Sequence, residues 1–366
     1  MTIPLRVMFD AQIFERQRYG GISRMFVELA KELPGAGIAP RIFAPLHGNA
    51  YLGELPDAAF IGRQRQVSGR LQMAAARRLP ILLAPLAARL DGAAIVHETY
   101  YGPRSSAPRG VPVVTTMYDM IHELDTSFAG DPVIGWKAAA IARADWITCI
   151  SHNTRADLVQ LFPAAETKSS VVPLASDLPD AGDAPRPHPR PYLLYVGERS
   201  RGYKNFAGLF DAYRSSPRLN AEFDLLCIGH APLGPVESRS IAAAGLTGKV
   251  HQLFASDRAL AALYRHSACF VYPSTYEGFG IPPLEAMGAG CPVVALRLAS
   301  MPEVCGDAVC YAEGAGGEAL AKAIEAVVFD TAYADSLRAA GHHRALQFSW
   351  RRTAELTAQI YRQLAG

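Results

Sequence analysis

The sequence predicts two α/β domains, each built on a parallel sheet with helices on both faces. Three observations support this prediction. The chain has 366 residues, more than a single domain usually contains. Short apolar runs alternate with helical segments in both halves of the chain, as they do in doubly wound folds. Residues 177–191 contain five prolines and no periodic apolar pattern, so they are predicted to link the two halves.

Six apolar runs predict the strands of the first domain, which we place at residues 1–178. A loop with two adjacent glycines, Gly20 and Gly21, follows the first strand, and an amphipathic helix is predicted at residues 25–33. The predicted strands are residues 5–9, 41–44, 94–97, 111–116, 146–150 and 170–173. The linker proper then covers residues 179–191.

The same alternation resumes after the linker and predicts a second doubly wound domain at residues 192–348. Its predicted strands are residues 192–197, 223–228, 250–254, 269–272, 292–296 and 308–311. The remaining residues, 349–366, carry apolar side chains at helical spacing and are predicted to form a final helix.

The composition excludes several classes of function. Charged residues make up 19% of the chain and the formal net charge is only +2, which argues against nucleic acid as a partner. No apolar run reaches the ~20 residues that span a bilayer, and no secretory signal follows Met1. The six cysteines show no paired metal-ligand spacing, and they predict reduced thiols in a cytoplasmic protein.

The most informative motif lies at residues 272–294 and contains two glutamates separated by seven residues, Glu277 and Glu285. A buried strand is predicted just before it. Pro283 suits the first turn of a helix, where its missing N–H would be unpaired anyway, so Glu285 is predicted in that first turn. Gly290 is expected just past the helix end. The motif therefore predicts a strand, a glycine loop and a helix N-terminus.

Such a loop suits a phosphorylated sugar ligand. The backbone amides of Phe279, Gly280 and Ile281 can hold phosphate or sugar hydroxyls, because glycine lets a ligand approach the backbone closely. Glu285 on the helix and Glu277 on the loop can accept hydrogen bonds from the hydroxyls of such a ligand.

A second loop, residues 198–205, follows the first strand of the second domain and carries closely spaced cations. Arg199 and Lys204 fit a clamp for a diphosphate, because arginine offers a two-pronged hydrogen-bond donor and lysine a point charge. Arg201 could substitute for Arg199 in this clamp.

The motif at residues 272–294 resembles the signature of family-4 glycosyltransferases. This resemblance implies the GT-B fold, in which two Rossmann-like domains face each other across a cleft and a final helix returns to the N-terminal domain. It also implies retaining transfer of a sugar from a nucleotide-sugar donor without a metal or other cofactor. The donor-binding residues that it implies are Glu285, Gly278, Phe279, Gly280, Ile281, Leu284, Gly20 and Gly21. The catalytic residues that we expect are Glu277, Arg199, Lys204, Asp119 and His122.

A segment of the first domain, residues 113–123, resembles the passage of the same family that ends in a His-Asp pair beside the reacting sugar. Here Tyr118 stands where many relatives have histidine, although Asp119 is retained. A tyrosine hydroxyl can contact a sugar but titrates near ~10 and is a poor base. Asp119 or His122 could assist the acceptor instead, and Arg155 could contact the diphosphate or the acceptor.

The residues around these motifs, 19–24 and 203–206, most resemble those of bacterial mannosyltransferases of surface polysaccharide synthesis. This resemblance favours GDP-mannose as donor and a glycan or lipid-diphosphate-linked oligosaccharide as acceptor. A UDP-sugar-dependent transferase, an epimerase, a donor hydrolase and a non-catalytic nucleotide-sugar-binding protein remain alternatives.

One further segment, residues 63–89, contains six arginines and no acidic residue. Together with its leucines it suits peripheral contact with the cytoplasmic face of an inner membrane. An ordinary basic helix face on a soluble domain would show the same pattern.

Overall fold

The computed structural model describes residues 4–64, 70–176, 178–229 and 231–366, and only the backbone of residues 70–79 and 81. These residues form two compact units. The first combines Met1–Leu174 with Trp350–Gly366, and the second is Ala175–Ser349. Each unit is built on one parallel sheet, so the predicted fold class is confirmed. The proline-rich segment predicted as a linker belongs to the second unit.

The sheet of the first unit has seven strands in the order β3-β2-β1-β4-β5-β6-β7, all parallel. The strands are β1 (Leu5–Phe9), β2 (Ile38–His47), β3 (Phe60–Gln64), β4 (Ile95–Glu98), β5 (Val113–Met117), β6 (Trp146–Cys149) and β7 (Ser169–Val171). The helices between them are α1 (Gln12–Arg16), α2 (Gly21–Glu32), α3 (Arg70–Asp91), α4 (Ile121–Leu124), α5 (Pro132–Arg143) and α6 (His152–Leu161).

Two elements of the first unit differ from the prediction. Strand β3 was not expected, because it lies at the sheet edge, is mostly exposed and lacks an apolar pattern. Helix α2 begins at Gly21 rather than at residue 25. Its start is capped by the side chain of Gln17, whose Oε1 accepts the N–H of Ser23 at 3.0 Å. Gln17 lies so close that a Cβ at Gly20 would be 2.4 Å from its side-chain atoms.

The sheet of the second unit has six parallel strands in the order β10-β9-β8-β11-β12-β13. The strands are β8 (Tyr192–Val196), β9 (Asp224–Ile228), β10 (Val250–Leu253), β11 (Cys269–Tyr272), β12 (Val293–Leu296) and β13 (Cys310–Ala312). The helices are α7 (Phe206–Ser215), α8 (Pro217–Glu222), α9 (Pro235–Ala243), α10 (Asp257–His266), α11 (Ile281–Gly288), α12 (Met301–Cys305), α13 (Gly317–Val328) and α14 (Thr331–Ala345). Strands β9, β11 and β12 are buried along their whole length, as expected for a sheet covered on both faces.

Helix α11 follows the predicted strand and glycine loop, but one detail of the prediction is wrong. The helix begins at Ile281, so its first turn contains no acidic residue and Glu285 lies in the second turn. Gly290 follows the helix with a φ of +73°, a conformation that glycine adopts without strain.

The last helix, α15 (Trp350–Ala365), belongs to the first unit and packs on its sheet through a buried polar chain. The hydroxyl of Tyr361 lies 2.5 Å from Nδ1 of His97 in β4, and Nε2 of the same ring lies 2.8 Å from Oγ1 of Thr116. Oγ1 of Thr116 in turn lies 2.8 Å from Oγ1 of Thr148. This chain links α15 to three neighbouring strands.

Within the described part of the chain, no helix combines the length and the hydropathy that a bilayer-spanning segment needs. All six cysteines are free thiols, and five of them are buried.

We predict that His97 makes the first unit sensitive to acid. Burial lowers the pKa of His97 to about 3, whereas the unfolded chain takes up this proton near pH 6.5. The free energy of unfolding should therefore fall as the pH drops from about 6.5 towards 3, by up to ~1.4 kcal/mol per pH unit from this group.

The test is urea unfolding of the wild type and His97→Gln between pH 7 and pH 4.5, followed by tryptophan fluorescence. All three tryptophans lie in the first unit, so this signal reports that unit alone. His97→Gln should be less stable at pH 7 but lose stability less steeply with acid. The control His343→Gln changes an exposed histidine of the second unit. Equal acid slopes for His97→Gln and the wild type would refute the prediction.

Candidate active site

The candidate site lies where the strand order of the second sheet reverses. Strands β8 and β11 are neighbours, and the chain leaves them in opposite directions along the sheet, to β9 and to β12. Loops at the carboxyl ends of such strands diverge and leave a crevice in which α/β proteins bind ligands. The loop 197–205 follows β8 and the loop 273–280 follows β11, so both predicted motifs meet at this point.

Lys204 and Glu277 form the centre of the site. Nζ of Lys204 lies 2.6 Å from Oε1 of Glu277, and both side chains are largely buried, with 18% and 13% exposed. The ammonium also lies 5.4 Å and 5.7 Å from the ring centres of Tyr203 and Tyr272. Burial raises the pKa of Tyr272 well above its usual value. The adjacent Glu277 carboxylate, which accepts a hydrogen bond from the Tyr272 hydroxyl, raises this pKa further. The site therefore places a positive and a negative charge side by side in a partly aromatic setting.

Backbone hydrogen bonds hold the two loops in register. The N–H of Thr275 donates to the carbonyl of Tyr203 at 2.8 Å, which ties the second loop to the first. The hydroxyl of Ser300 lies 2.9 Å from the carbonyl of Glu277 and 2.8 Å from that of Phe279. Gly280 caps α11 with a φ of +106°, which a side chain would strain. These contacts leave little freedom in the position of Glu277.

The other residues of the two-glutamate motif divide into two groups. Leu284 and Phe279 point into the core, and Phe279 packs edge-on against Phe348 with ring centres 5.7 Å apart. Only their backbones can therefore contact a ligand. Glu285 is half-buried, and the hydroxyl of Tyr264 donates to its Oε2 at 3.3 Å. Burial, and then the Glu285 carboxylate, raise the pKa of Tyr264, so that this hydroxyl stays protonated and orients Glu285.

Arg199 is engaged away from the Lys204–Glu277 pair. Its Nε donates to Oε1 of Glu237 at 2.7 Å, and its Nη2 donates to the carbonyls of Ala231 and Pro232. Only 4% of the Arg199 side chain is exposed. Arg201 is the more accessible cation of this loop, with 48% of its side chain exposed and its Nε 3.3 Å from Glu198. The loop after β9 would wall a pocket for the nucleotide base, and its residue His230 lies outside the described residues.

A pocket of about 520 Å³ lies at the same edge of the sheet, at the ends of β12 and β13. Arg297, Tyr311 and Glu313 are among the residues that line it. The side chain of Asn205 donates to the carbonyl of Ala315 in its wall. The pocket therefore adjoins the loop that carries Lys204, but the predicted donor-binding residues do not line it.

In the first unit, Tyr118 is buried and its hydroxyl donates to the carbonyl of Thr99 at 2.7 Å. Burial, with smaller effects of Tyr100 and Asp10, raises the pKa of Tyr118 well above its usual value. This hydroxyl is therefore neither a base nor directed towards a ligand, and it holds the loop after β4 in place.

Asp119 and His122 lie together beside a buried lysine. Oδ1 of Asp119 accepts the N–H of Ile121 and lies 3.6 Å from Nζ of Lys137 and 4.0 Å from Nδ1 of His122. The Lys137 side chain has no exposed surface, and its Nζ donates to Glu123 at 2.8 Å. About a third of the Asp119 side chain is exposed, which leaves it able to meet a ligand.

The remaining predicted residues have local partners. Gly20 and Gly21 form the N-terminal boundary of α2. Arg155 donates to the carbonyls of Ser169 and Glu166, so it braces the segment before β7.

Sequence reasoning missed several residues that shape these loops. A fully buried lysine, Lys137, has no sequence signature, because its burial depends on α4 packing beside α5. The aromatic ring of Tyr100 lies under the guanidinium of Arg16 at 5.0 Å, and the same guanidinium is 5.4 Å from the ring of Trp136. Asp10 was also missed, although an aspartate directly after the first strand is a signal that could have found it.

Two family models match the chain. The model for Glycosyltransferase Family 4 matches residues 19–180, and the model for Glycosyl transferases group 1 matches residues 180–344. Among curated proteins, O-antigen chain mannosyltransferase B of Escherichia coli is 28% identical over 94% of this chain and 96% of its own length. Serotype-specific mannosyltransferase WbdA of Escherichia coli is 34% identical, but over 30% of this chain and 14% of its own length.

Solved structures share the architecture at low identity. Sucrose-phosphate synthase of Thermosynechococcus elongatus has a TM-score of 0.77 at 19% identity, covering 98% of this chain and 99% of the other. WaaG, a glycosyltransferase involved in lipopolysaccharide biosynthesis, has a TM-score of 0.73 at 17% identity, covering 97% and 99%. The two family models together span residues 19–344, and the chain therefore belongs to the GT-B glycosyltransferases that join a Family 4 domain to a group 1 domain.

Proposed function

We propose that this glycosyltransferase moves a sugar from a nucleotide-diphosphate donor that binds at the carboxyl ends of β8 and β11. The observation that carries the proposal is the Lys204–Glu277 pair, with 2.6 Å between Nζ and Oε1, at the strand-order reversal. A cation there can meet the donor diphosphate, and a carboxylate beside it can meet the hydroxyls of the transferred sugar. Amides at the N-terminus of α11 add further donors for phosphate oxygens.

We propose that transfer retains the anomeric configuration by a front-face route. The bond between the anomeric carbon and the diphosphate oxygen breaks, and the acceptor oxygen bonds to the same face of that carbon. The leaving diphosphate takes the acceptor proton. Lys204 stabilises the negative charge that develops on the diphosphate, an electrostatic contribution that is often the largest in catalysis. No metal ion has a role in this proposal.

Glu277 orients the sugar in this scheme and does not attack it. A carboxylate nucleophile must be held against the anomeric carbon. Glu277 is instead held by Lys204 and Tyr272, and both interactions disfavour its use as a free nucleophile. Arg199 is bound to Glu237 and would have to release it before it could stabilise the negative charge on the diphosphate. We therefore assign Lys204 the main role and Arg199 a secondary one.

For the donor we propose GDP-mannose. Support comes from the similarity to O-antigen chain mannosyltransferase B, which extends over nearly the whole of both chains. A UDP-sugar is the alternative. The structurally similar Anabaena HepE, which is 18% identical to this chain, was solved in complex with UDP-glucose. Glu285, oriented by Tyr264, is the residue that we propose for the ribose hydroxyls, which both donors share.

For the acceptor we propose a glycan, free or linked to a lipid diphosphate, as in bacterial surface polysaccharide synthesis. The loops of the first unit offer Asp119 for a hydroxyl and the rings of Tyr100 and Trp136 for the apolar face of a sugar. Arg16, between these rings, would meet phosphate. His122 lies beside Asp119, with 4.0 Å between its Nδ1 and Oδ1 of Asp119, and we propose that it also assists the acceptor.

We also propose that the enzyme works at the cytoplasmic face of a membrane, through helix α3. Its Ala84 and Ala88 pack in the core of the first unit, whereas Leu82, Leu86 and Leu90 are 61%, 56% and 80% exposed. Residues 58–90 contain no acidic residue, which suits an anionic bilayer. Arg65 and the side chains of Arg70, Arg77 and Arg78 lie outside the described residues, while Arg63 and Arg89 are exposed.

The role of Lys204 can be tested by kinetics. Lys204→Ala should lower kcat by ~10²-fold or more while changing donor KM less, because the charge that it stabilises appears mainly in the transition state. Lys322→Ala, at an exposed lysine of α13, is the control and should leave both constants unchanged. Wild-type turnover in Lys204→Ala would refute the assignment, and a wild type that binds donor without turnover would favour a non-catalytic nucleotide-sugar-binding protein.

The donor pocket can be tested by a ligand panel. GDP-mannose, GDP-fucose, UDP-glucose and UDP-galactose are compared by thermal shift and by release of free sugar. We expect GDP-mannose to stabilise the protein most, by ~2.7 kcal/mol at a hundredfold excess over its Kd. Glu285→Gln should weaken binding about 10- to 100-fold, since a hydrogen bond to a charged group contributes ~1.5–3 kcal/mol.

Two outcomes of the panel would contradict the proposal. Stabilisation by UDP-sugars alone would replace the donor with a UDP-sugar, and no stabilisation by any of them would remove the donor site. The control Glu318→Gln changes an exposed glutamate of α13 and should bind like the wild type.

Membrane contact can be tested by sedimentation with vesicles. The wild type should bind vesicles that contain anionic lipid, and the double variant Leu82→Glu/Leu86→Glu should lose this binding. The control Leu346→Glu alters a leucine of the second unit that is 70% exposed. Equal binding of the wild type to neutral and anionic vesicles, or binding to neither, would exclude docking through α3.

A further inference from the structure

Two histidines and an aspartate meet at the amino ends of strands in the second sheet, whereas the candidate active site lies at carboxyl ends. His188 lies in the segment that leads into β8, Asp224 is the first residue of β9, and His251 is the second residue of β10. These strands are neighbours in the sheet, and all run in the same direction. Their amino ends therefore lie side by side, whereas Lys204 and Glu277 lie beyond carboxyl ends.

The three side chains converge on one oxygen atom. Nε2 of His188 lies 2.7 Å from Oδ2 of Asp224, and Nε2 of His251 lies 3.4 Å from the same oxygen. One potential ligand atom from each of the three residues lies within 4.8 Å of those of the other two. Zinc binds imidazole nitrogen and carboxylate oxygen at about 2.0–2.2 Å, so its tetrahedral ligands are ~3.3 Å apart. Small side-chain rotations would bring the cluster to that spacing.

The burial and hydrogen bonding of Asp224 are typical of a carboxylate that binds a metal. The Asp224 side chain is almost fully buried, and Nε of Arg190 donates to its other oxygen, Oδ1, at 3.0 Å, which leaves Oδ2 to the histidines. A second hydrogen bond of this kind commonly orients a carboxylate that binds a metal.

One atom of the cluster has no hydrogen-bond partner in the described structure. Nε2 of His251 is enclosed, and although it lies 3.4 Å from Asp224, the two atoms form no hydrogen bond. An enclosed ring nitrogen without a partner costs free energy unless it binds an ion or a water. A metal ion between the two rings and the carboxylate would satisfy it.

We propose that His188, Asp224 and His251 bind a divalent transition-metal ion of the zinc type, with water in the fourth position. Two imidazoles and one carboxylate suit Zn²⁺, Co²⁺ or Ni²⁺, whereas Mg²⁺ and Ca²⁺ prefer oxygen ligands alone. The ion ties the proline-rich segment that contains His188 to the amino ends of β9 and β10. Its role is structural, and it is independent of the metal-free transfer proposed above.

The sequence carries no recognisable motif for this site. Metal motifs are recognised by ligands a few residues apart, but here the ligands are 36 and 27 residues apart along the chain. Only the strand order brings them together.

The experiment is a titration of untagged, chelator-treated protein with ZnCl₂ by calorimetry, with CoCl₂ absorption as a second probe of geometry. We expect one high-affinity Zn²⁺ per chain and the absorption bands of tetrahedral Co²⁺. His251→Gln and His188→Gln should each weaken Zn²⁺ binding by at least ~100-fold, the upper end of the effect of altering even an outer-shell partner. The exposed His343→Gln should bind Zn²⁺ like the wild type.

Unfolding temperatures distinguish the loss of the metal site from a failure of the variants to fold. Without metal, the two site variants should unfold near the wild-type temperature, and added Zn²⁺ should raise the unfolding temperature of the wild type and His343→Gln only. The proposal is overturned if the wild type binds no Zn²⁺, or if His251→Gln and His188→Gln bind it as tightly as His343→Gln does. Equal binding of Mg²⁺ and Zn²⁺ would also overturn it.

Discussion

The reversal of strand order between β8 and β11 is the constraint on which the candidate active site depends. Parallel strands require a crossover at every connection, so a sheet that grows in both directions must contain one point from which its loops diverge. At that point Lys204 and Glu277, 73 residues apart in the chain, come within 2.6 Å. A backbone hydrogen bond from Thr275 to Tyr203 ties together the two loops that carry them. The chemistry of the pair is therefore a consequence of topology.

The local parts of the site could be predicted from the sequence, whereas the pairing of distant residues could not. Glu277, the glycines that follow it and helix α11 form one continuous motif whose geometry depends on nearby backbone preferences, although Glu285 lies in the second turn and not in the first. The partner of Arg199 depends instead on α9, which brings Glu237 to it from 38 residues away. Strand β3 was not predicted, because an exposed strand at the edge of a sheet needs no apolar pattern.

Burial accounts for the other differences between expectation and structure. Tyr118 was expected to be available to a sugar, but the packing of the loop after β4 gives its hydroxyl a carbonyl partner. Lys137 was not expected in the core, yet it is compensated there by Glu123 and by the nearby Asp119. A charged or polar side chain can be buried only where such partners exist, and partners from other elements are invisible along the sequence.

The position of α15 has a consequence for how the protein is made. The second unit is one continuous segment, so a ribosome delivers all of its residues before the last helix emerges. The first unit, although synthesised first, keeps an incomplete core until Tyr361 reaches His97. Domains usually fold in the order of their synthesis. In this chain the N-terminal unit should instead be the last to mature, because its sheet receives α15 only after the whole second unit has been synthesised.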